Sequence, residues 1–175
     1  IKIGIVTKQD TSENQAKNVF LGIGSNLGDK KNNIEKAKFE LIQNNIKILQ
    51  TSNYYESLSW PDVKKPKFLN IVLKISSFLK PLDLLKICKI IETKLGRKKT
   101  PKNSPRECDI DIIDYNYKKS SNRVQLPHPK MHSRNFVLIP LFEINKNWRH
   151  PVTKLHIKKL ILSLPKIDIT SIKQI

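Results

Sequence analysis

Acidic and apolar residues alternate in Asp109-Ile110-Asp111-Ile112, and this short pattern constrains the fold more than any other part of the sequence. Alternate side chains of an extended chain point the same way, so the two acids share one face of a strand and the isoleucines share the other, towards a core. The two carboxylates lie about 6.6 Å apart along such a strand. At an effective dielectric of about 20, they repel each other by about 2–3 kcal/mol.

A cation between the acids would remove this repulsion. Oxygen ligands on a rigid strand suit Mg²⁺, which completes its shell with water and substrate phosphates. The preceding segment favours this interpretation, because Arg97, Lys98, Lys99, Lys102 and Arg106 make it strongly cationic. On these residues alone, an edge strand with its acids in solvent stays open as the alternative.

The order of apolar segments predicts an α+β fold. Strand, helix, strand, strand, helix, strand is the ferredoxin-like βαββαβ arrangement, with a mainly antiparallel sheet and helices packed on one face. Asp29 is a predicted N-cap, Pro81 suits a first helical turn and Gly96 a C-cap. We expect C-terminal additions, including a helix near 154–163, to cover part of the other face. The predicted strands are 19–23, 46–56, 68–78 and 107–114, and the predicted helices are 29–44 and 81–96.

The length of 175 residues suits one domain with a substantial core. We expect residues 1–18 to be an N-terminal extension or linker remnant, and 19–175 to form the single domain. Residues 1–6 are too short for a signal-peptide core, and no apolar run has the length of a membrane span. Cys88 and Cys108 lie in apolar contexts without a C-x-x-C spacing, which favours buried free thiols in a reducing, cytoplasmic compartment.

The formal net charge is +18, from 33 Lys and Arg against 15 Asp and Glu. Such a balance favours an anionic partner: nucleic acid, a membrane surface or a phosphorylated small molecule. Lys is scattered along the whole chain, and Asn and Ile are also abundant. A general compositional bias would therefore give the same charge without any role in nucleic-acid binding.

Several single residues stand out from their surroundings. Asn70 interrupts a strongly apolar strand and is either an edge position in water or a binding group. His128 and His132 are four residues apart, but Pro129 between them argues against a helical zinc site, so a cationic histidine beside phosphates is favoured. Arg134 and Phe136 are two residues apart in a segment predicted to be extended, which would direct guanidinium and ring into one cavity. An ordinary surface arginine and a core phenylalanine are the alternative.

Taken together, paired carboxylates, a cationic loop before them and a His/Arg/aromatic segment after them suit a nucleoside triphosphate with Mg²⁺ and a flat acceptor. The chain resembles the 6-hydroxymethyl-7,8-dihydropterin pyrophosphokinase family of folate biosynthesis from about Val19 to the C-terminal helix. The resemblance rests on these motifs in order: Gly24-Ser25-Asn26-Leu27-Gly28, Phe68-Leu69-Asn70, Glu92 with Gly96-Arg97, Pro105-Arg106-x-x-Asp109-Ile110-Asp111-Ile112, and Pro127-His128 through Arg134-x-Phe136 to Pro140-Leu141-x-Glu143-Ile144.

The resemblance implies that ATP donates its β,γ-diphosphate to the hydroxymethyl group of the dihydropterin and leaves as AMP. It implies that Asp109 and Asp111 are ligands to two Mg²⁺ ions that bridge the triphosphate. The other implied roles are phosphate and nucleotide contacts for Arg97, Arg106, Lys102, His128 and Arg134, the ATP pocket for Glu92 and Ile112, and the pterin pocket for Asn70, Phe68, Phe136 and the Ser57-Leu58 backbone.

The sequence departs from the family at three places. Asn103-Ser104 stand where relatives often carry Trp-Gly, Lys89 where many carry Gln, and Ser57-Leu58 where Thr-Pro is common.

The expected partner is the pterin, with no nucleic acid and no membrane. We expect a monomer, once fused to or followed by other folate-pathway enzymes. Two rivals are an RNA-recognition-like module, which shares this element order, and a kinase that transfers a single phosphoryl group.

Overall fold

A computed structural model of the chain describes residues 15–98, 100–101 and 103–175. Within these residues, a six-stranded sheet has the order β5-β1-β4-β3-β6, and β2 also pairs with β4. All pairings are antiparallel. The strands are β1 (Lys17–Ser25), β2 (Lys47–Thr51), β3 (Tyr55–Ser57), β4 (Phe68–Ser77), β5 (Asp109–Tyr115) and β6 (Lys173–Gln174), and the helices are α1 (Lys30–Gln43), α2 (Pro81–Lys94), α3 (Asn135–Ile144), α4 (Ile157–Leu162) and α5 (Lys166–Ser171).

The central strands β1 and β4 are buried on both faces, as their continuous apolar runs predict. One face packs against α1 and α2 in a core that contains Leu21, Ile23 and Ile110. The opposite face packs in a second core, where Phe20 and Val72 meet residues of α3 and α4. The ferredoxin-like α+β prediction, with C-terminal elements covering the second face, is therefore confirmed.

The two helices of the first core begin and end where the sequence predicts. The Asp29 side chain accepts a hydrogen bond from the Asn32 backbone N–H at 3.1 Å and caps α1. Pro81 opens α2, where its missing N–H costs nothing. Gly96 follows α2 with a φ of +104°, a backbone conformation that glycine adopts without strain.

Three local predictions are wrong. The strand predicted at 46–56 is interrupted between β2 and β3, because the Ser52 hydroxyl accepts a hydrogen bond from the Val72 N–H and reshapes the edge. Residues 135–144 form α3 rather than an extended segment. Its apolar residues show no helical periodicity, since α3 is largely buried and Pro140 lies inside it. The single helix predicted at 154–163 is the shorter α4, followed by α5 and β6.

The predicted boundary at residue 18 falls inside β1, which begins at Lys17 and pairs there with Ser77. Residues 1–14 of the proposed extension lie outside the described part of the chain. At the other end, β6 pairs with β3, so the sheet includes residues from near both ends of the described chain. In those residues, no helix combines the length and apolar character needed to cross a bilayer.

We predict that neither cysteine reacts in the native protein. Cys88 and Cys108 are free and have no exposed surface, and burial raises the pKa of each thiol to about 12. Thiolate is the reactive form, so Ellman's reagent at pH 8 should give no signal until the protein is unfolded in guanidinium, when both thiols should react. Rapid reaction of either thiol in the native protein would contradict this burial.

Candidate active site

A cavity of about 380 Å³ opens between the second face of the sheet and the N-terminus of α3. Its floor comes from β1, β4 and β5, and its walls from the loop after β3, the segment before α3, and α5. Of the predicted site residues, it brings together Leu58, Phe68, Asn70, Arg106, Asp109, Asp111, Arg134 and Phe136.

The two acids of β5 are held by cations from three segments. The Asp109 carboxylate accepts from Arg97 and from Arg106, each at 2.5 Å. Asp111 lies 3.3 Å from an Arg134 guanidinium nitrogen and 3.8 Å from His128 Nε2. Ile110 and Ile112, between and after the acids, are buried in the helical core. The alternation predicted from the sequence is therefore confirmed. The strand does lie at an edge of the sheet, as the alternative required, but its acids face the cavity and pair with arginines instead of lying free in solvent.

Burial by itself would raise the pKa of Asp109, but the charges of Arg106 and Arg97 lower the pKa below its ordinary value. Asp109 is thus ionised at neutral pH. Burial lowers the pKa of His128, although the charge of Asp111 opposes this shift. His128 Nδ1 accepts from the Lys130 N–H, so the neutral ring carries its proton on Nε2, towards Asp111. The lowered pKa favours the neutral ring in this structure, and the expected cationic histidine beside phosphates stays a prediction.

The chemistry of the acids fits a magnesium ion better than a zinc ion. Among the described residues, no group of three or more His, Cys, Asp or Glu side chains converges on a point. Two carboxylates suffice for Mg²⁺, which takes one or two from the protein and the rest from water and phosphates. The Nε of Arg106 is buried without a hydrogen-bond partner among the described residues, so this group suits an anionic ligand.

The other half of the cavity is aromatic with one buried amide. Asn70 is only 5% exposed, and its Nδ2 donates to Ser57 Oγ at 2.9 Å and to the Tyr55 carbonyl at 3.3 Å. These bonds fix the amide plane in the cavity wall. A Cβ at position 24 would lie 3.0 Å from Asn70 Oδ1 and 3.3 Å from the Phe68 ring, so Gly24 keeps this space open. The edge-strand alternative for Asn70 is wrong.

Arg134 and Phe136 reach the cavity by a different route from the predicted one. Arg134 is extended and caps α3, whereas Phe136 belongs to its first turn. The Arg134 guanidinium lies 5.5 Å from the centre of the Phe136 ring, and the Arg106 guanidinium lies 5.2 Å from that of Phe68. Each ring thus carries a cation over one face.

The structure also explains the Gly-Ser-Asn turn after β1. Asn26 is 3% exposed, and its side chain accepts from the Arg106 N–H at 2.8 Å and donates to the Pro66 carbonyl at 3.1 Å. Ser25 is also buried and accepts from Asn33 Nδ2. The turn therefore fixes the loop after β3 to the segment before β5.

Several predicted residues do not line the cavity. Ser57 supports Asn70 from behind, and Ile112 is a core residue. Arg97 and His128 contact the acids from outside the cavity. Lys102 lies outside the described residues. Lys89, the unusual residue on α2, pairs with Glu92 at 2.7 Å.

Glu92, predicted to belong to the ATP pocket, is a buried support for β5. It is 2% exposed and accepts from the Ile110 N–H and Lys89, each at 2.7 Å. Its second oxygen lies 2.6 Å from Arg97. Burial raises the pKa of Glu92 in spite of these cations. Glu92 therefore orients Arg97, which in turn holds Asp109.

Sequence reasoning missed several wall residues that carry no motif. Trp60 and Val63 come from the loop after β3, and Lys130 and Asn135 from around the start of α3. Asp168 and Ser171 come from α5, which the sequence did not predict as a separate helix. An aromatic residue among polar loop residues was the available signal for Trp60.

The chain belongs to the 7,8-dihydro-6-hydroxymethylpterin-pyrophosphokinase family, whose sequence model matches residues 20–146. The 2-amino-4-hydroxy-6-hydroxymethyldihydropteridine pyrophosphokinase of Aquifex aeolicus (strain VF5) is 39% identical over 142 residues, which are 81% of this chain and 88% of that protein. The folic acid synthesis protein FOL1 of Dictyostelium discoideum is 41% identical over 160 residues. The chain covers 24% of that longer protein, and the alignment includes 90% of this chain.

Solved structures support the fold. A crystal structure of Plasmodium falciparum HPPK-DHPS A437G with pteroate superposes with a TM-score of 0.72 over 95% of this chain and 48% of that chain, at 15% sequence identity. At this identity, the likeness establishes the architecture alone.

We predict that Glu92→Ala destabilises the fold as well as the site. It would leave the Ile110 N–H without its acceptor and remove one of the two carboxylates that hold Arg97, so the free energy of unfolding should fall by about 2–4 kcal/mol. Urea denaturation followed by circular dichroism measures this loss. Asp83→Asn, on the same helix, removes an exposed ion pair with Lys86 and should cost under about 1 kcal/mol. Equal losses in the two variants would contradict a supporting role for Glu92.

Proposed function

We propose that this chain transfers the β,γ-diphosphate of ATP to the hydroxymethyl group of 6-hydroxymethyl-7,8-dihydropterin and releases AMP. The observation that carries the proposal is the position of Asp109 and Asp111, which face the cavity that Asn70, Phe68 and Phe136 also line. Anionic and flat aromatic groups can therefore meet in one space of about 380 Å³. Family membership and the relatives' names support this reaction.

The pterin half of the cavity suits a flat ring with polar edges. Phe136 offers a stacking surface, and Phe68 and the Leu58 segment line the same space. Asn70 presents an amide that the surrounding strands already hold in place, which lowers the entropy lost on binding. A hydroxymethyl substituent would point towards the acids of β5.

The reaction forms a bond between the hydroxymethyl oxygen and the β-phosphorus. It breaks the bond from that phosphorus to the oxygen that bridges the α- and β-phosphates, and the electron pair leaves with AMP. The hydroxyl proton passes to solvent. No covalent enzyme intermediate is required, so catalysis depends on alignment and on neutralising phosphate charge.

Arginines supply that neutralisation from the protein. Arg106 and Arg134 line the cavity, and Arg97 lies behind Asp109. Guanidinium groups bind phosphate oxygens in pairs and stay charged at any physiological pH. Asp109 and Asp111 are the proposed holders of two Mg²⁺ ions. Bound there, the ions would neutralise the triphosphate and polarise its phosphorus centres.

We assign the catalytic role to Arg97, Arg106, Asp109 and Asp111, and the nucleotide-binding role to His128 and Arg134. Lys102 keeps its proposed phosphate contact from the sequence motif alone. We also propose a cytoplasmic monomer, which the free thiols support through the reducing compartment that they imply.

The product nucleotide tests the proposal. The protein is incubated with ATP, MgCl₂ and 6-hydroxymethyl-7,8-dihydropterin, and the nucleotides are separated by ion-exchange chromatography. AMP in a one-to-one ratio with the pterin diphosphate is expected. ADP would indicate transfer of a single phosphoryl group. An RNA-recognition-like module would give no turnover, and the two acids on β5 already disfavour it because they repel phosphate.

We predict that Asp109→Ala and Asp111→Ala each lower turnover by about 10²–10³-fold, the loss typical when a preorganised electrostatic contact to the transition state is removed. Both side chains line the cavity, and neither is part of a hydrophobic core, so circular dichroism should show an intact fold. Asp83→Asn, an exposed acid on α2, is the control and should keep full activity. A rate near that of the wild type in either alanine variant would refute the metal assignment.

We predict that Phe136→Ala raises the KM for the pterin about tenfold or more, because it removes a stacking surface. The KM for ATP should change by less than about twofold, since the phosphate contacts remain. Steady-state kinetics with each substrate varied in turn separates the two effects. Phe39→Ala, which truncates a 58% exposed aromatic on α1, is the matched control. An unchanged KM for the pterin would contradict stacking on Phe136.

A further inference from the structure

A second cavity, of about 530 Å³, lies outside the active site and takes no part in the reaction described above. It opens between the segment that follows β5 and the segment that contains α4. No described residue of β5 or α2 lines it, and Arg97, Arg106 and Arg134 are not in its wall. Among the described residues with a predicted role in nucleotide binding, His128 alone borders it. The second cavity is therefore a neighbour of the active site and not a part of it.

The wall of the second cavity is mainly apolar and partly open to water. Its apolar lining consists of Leu126, Pro127, Pro129, Val152, Leu155 and Leu160. Val152 and Leu155 are 52% and 42% exposed, so part of this surface stays in water in the free protein. A cavity of this volume, with an apolar wall and a few polar groups, has the usual form of a small-molecule site.

One buried polar side chain indicates which ligand chemistry would suit this cavity. His150 lines the cavity and is only 7% exposed. Its Nδ1 accepts from the backbone N–H groups of Val152 and Thr153, each at 3.2 Å, so the neutral ring carries its proton on Nε2. Burial, and after it the charge of His132, lowers the pKa of His150, which favours this neutral form. No described residue accepts from Nε2, and a buried donor without an acceptor is costly.

The charges around the second cavity favour an anion. Between Asp114 and Asp168, the sequence has a single acid, Glu143, whose carboxylate binds Asn53 and Tyr55. Among the described residues, no acid lines the cavity. Lysines directly adjoin its lining residues in the sequence at four places, namely Lys119, Lys130, Lys154 and Lys159. Cations without neighbouring acids raise the local concentration of small anions.

We propose that the second cavity is a separate small-molecule site, which binds an aromatic organic anion whose ring packs on Leu155 and Leu160 and whose charged group accepts from His150 Nε2. The ring would cover apolar surface of Val152 and Leu155 that is now in water. A carboxylate or sulfonate would supply the acceptor that the imidazole lacks. His132 borders the same cavity, and the centre of its ring lies 6.2 Å from that of His150. This inference does not rest on the proposed reaction.

The probe for this site is 8-anilino-1-naphthalenesulfonate, an aromatic sulfonate whose fluorescence rises in apolar surroundings. Its binding is titrated with the active site saturated by 6-hydroxymethyl-7,8-dihydropterin, Mg²⁺ and α,β-methylene-ATP, which cannot be cleaved between the α- and β-phosphates. We expect one saturable site that stays available under these conditions. N-phenyl-1-naphthylamine, which has the same aromatic groups without the sulfonate, should bind at least tenfold more weakly.

Two variants with the same chemical change locate the site. Val152→Glu places an acid in the cavity wall and should weaken binding of the sulfonate at least tenfold. The Val152 side chain is half exposed, so circular dichroism should show an intact fold. Leu162→Glu, at a 78% exposed residue of α4 outside the wall, is the control and should bind within twofold of wild type. His150 is left unchanged because its Nδ1 also holds the turn that follows it.

The four histidines of the chain provide an independent map of the binding site. In NMR spectra of the histidine rings, the sulfonate should shift the signals of His132 and His150. His156 caps α4 outside the cavity wall, so its signal should stay in place.

Loss of probe binding when the active site is saturated would assign the probe to the active site and overturn the inference. Absence of saturable binding, equal affinity for the neutral naphthylamine, wild-type affinity in Val152→Glu, or unshifted signals of His132 and His150 would also overturn it. None of these results affects the proposed function, which is tested by AMP formation in the wild type.

Discussion

The alternation of side chains along β5 is the constraint on which the site depends. Ile110 and Ile112 are locked in the helical core, so Asp109 and Asp111 must face the cavity on the other side. A shift of one residue in register would bury both acids and expose both isoleucines, and the pairing of Ile110 with Ile23 on β1 prevents it. Packing of the isoleucines on one face of the sheet thus fixes the position of the two carboxylates on the other face.

Charge balance then ties distant segments to this strand. Arg97 follows α2, Arg106 precedes β5 and Arg134 precedes α3, and all three lie against the two acids. An incoming polyanion competes with the carboxylates for these guanidiniums, and an incoming cation competes with the guanidiniums for the carboxylates. Binding of the anion thus frees the carboxylates that the cation needs, and binding of the cation frees the guanidiniums that the anion needs. Under the proposed function, binding of Mg²⁺ and binding of the triphosphate would therefore reinforce each other at this site.

The elements that could be predicted from the sequence are those whose apolar residues recur with a clear period. The strand with Asp109 and the helix capped by Asp29 have clear patterns and were predicted correctly. Helix α3 was not, because it is buried against β4 and the other helices and lacks a polar face that would reveal its period. Its Glu143 accepts from the Asn53 backbone N–H and Tyr55 hydroxyl, contacts that exist only in the tertiary structure.

The site shows the same division. The motif around Asp109 predicted that the two acids and Arg106 lie together, because alternate residues of a strand point to the same face. The motif around Glu92 did not separate a support from a ligand contact, because both need a buried acid near Arg97. Trp60 and Asp168 belong to segments whose position depends on long-range contacts, such as Asn26 with Pro66 and Asn135 with the Asp168 carbonyl. No local pattern encodes those contacts.

The aromatic rings of the cavity share one arrangement that joins its two halves. Phe68, Phe136 and Trp60 each have a cation over the ring, from Arg106, Arg134 and Lys130. Two of these cations belong to the group around the β5 acids, so the same guanidiniums border the aromatic surface and the proposed phosphate site. A ligand with a flat ring and a polyanionic partner therefore meets groups that serve both.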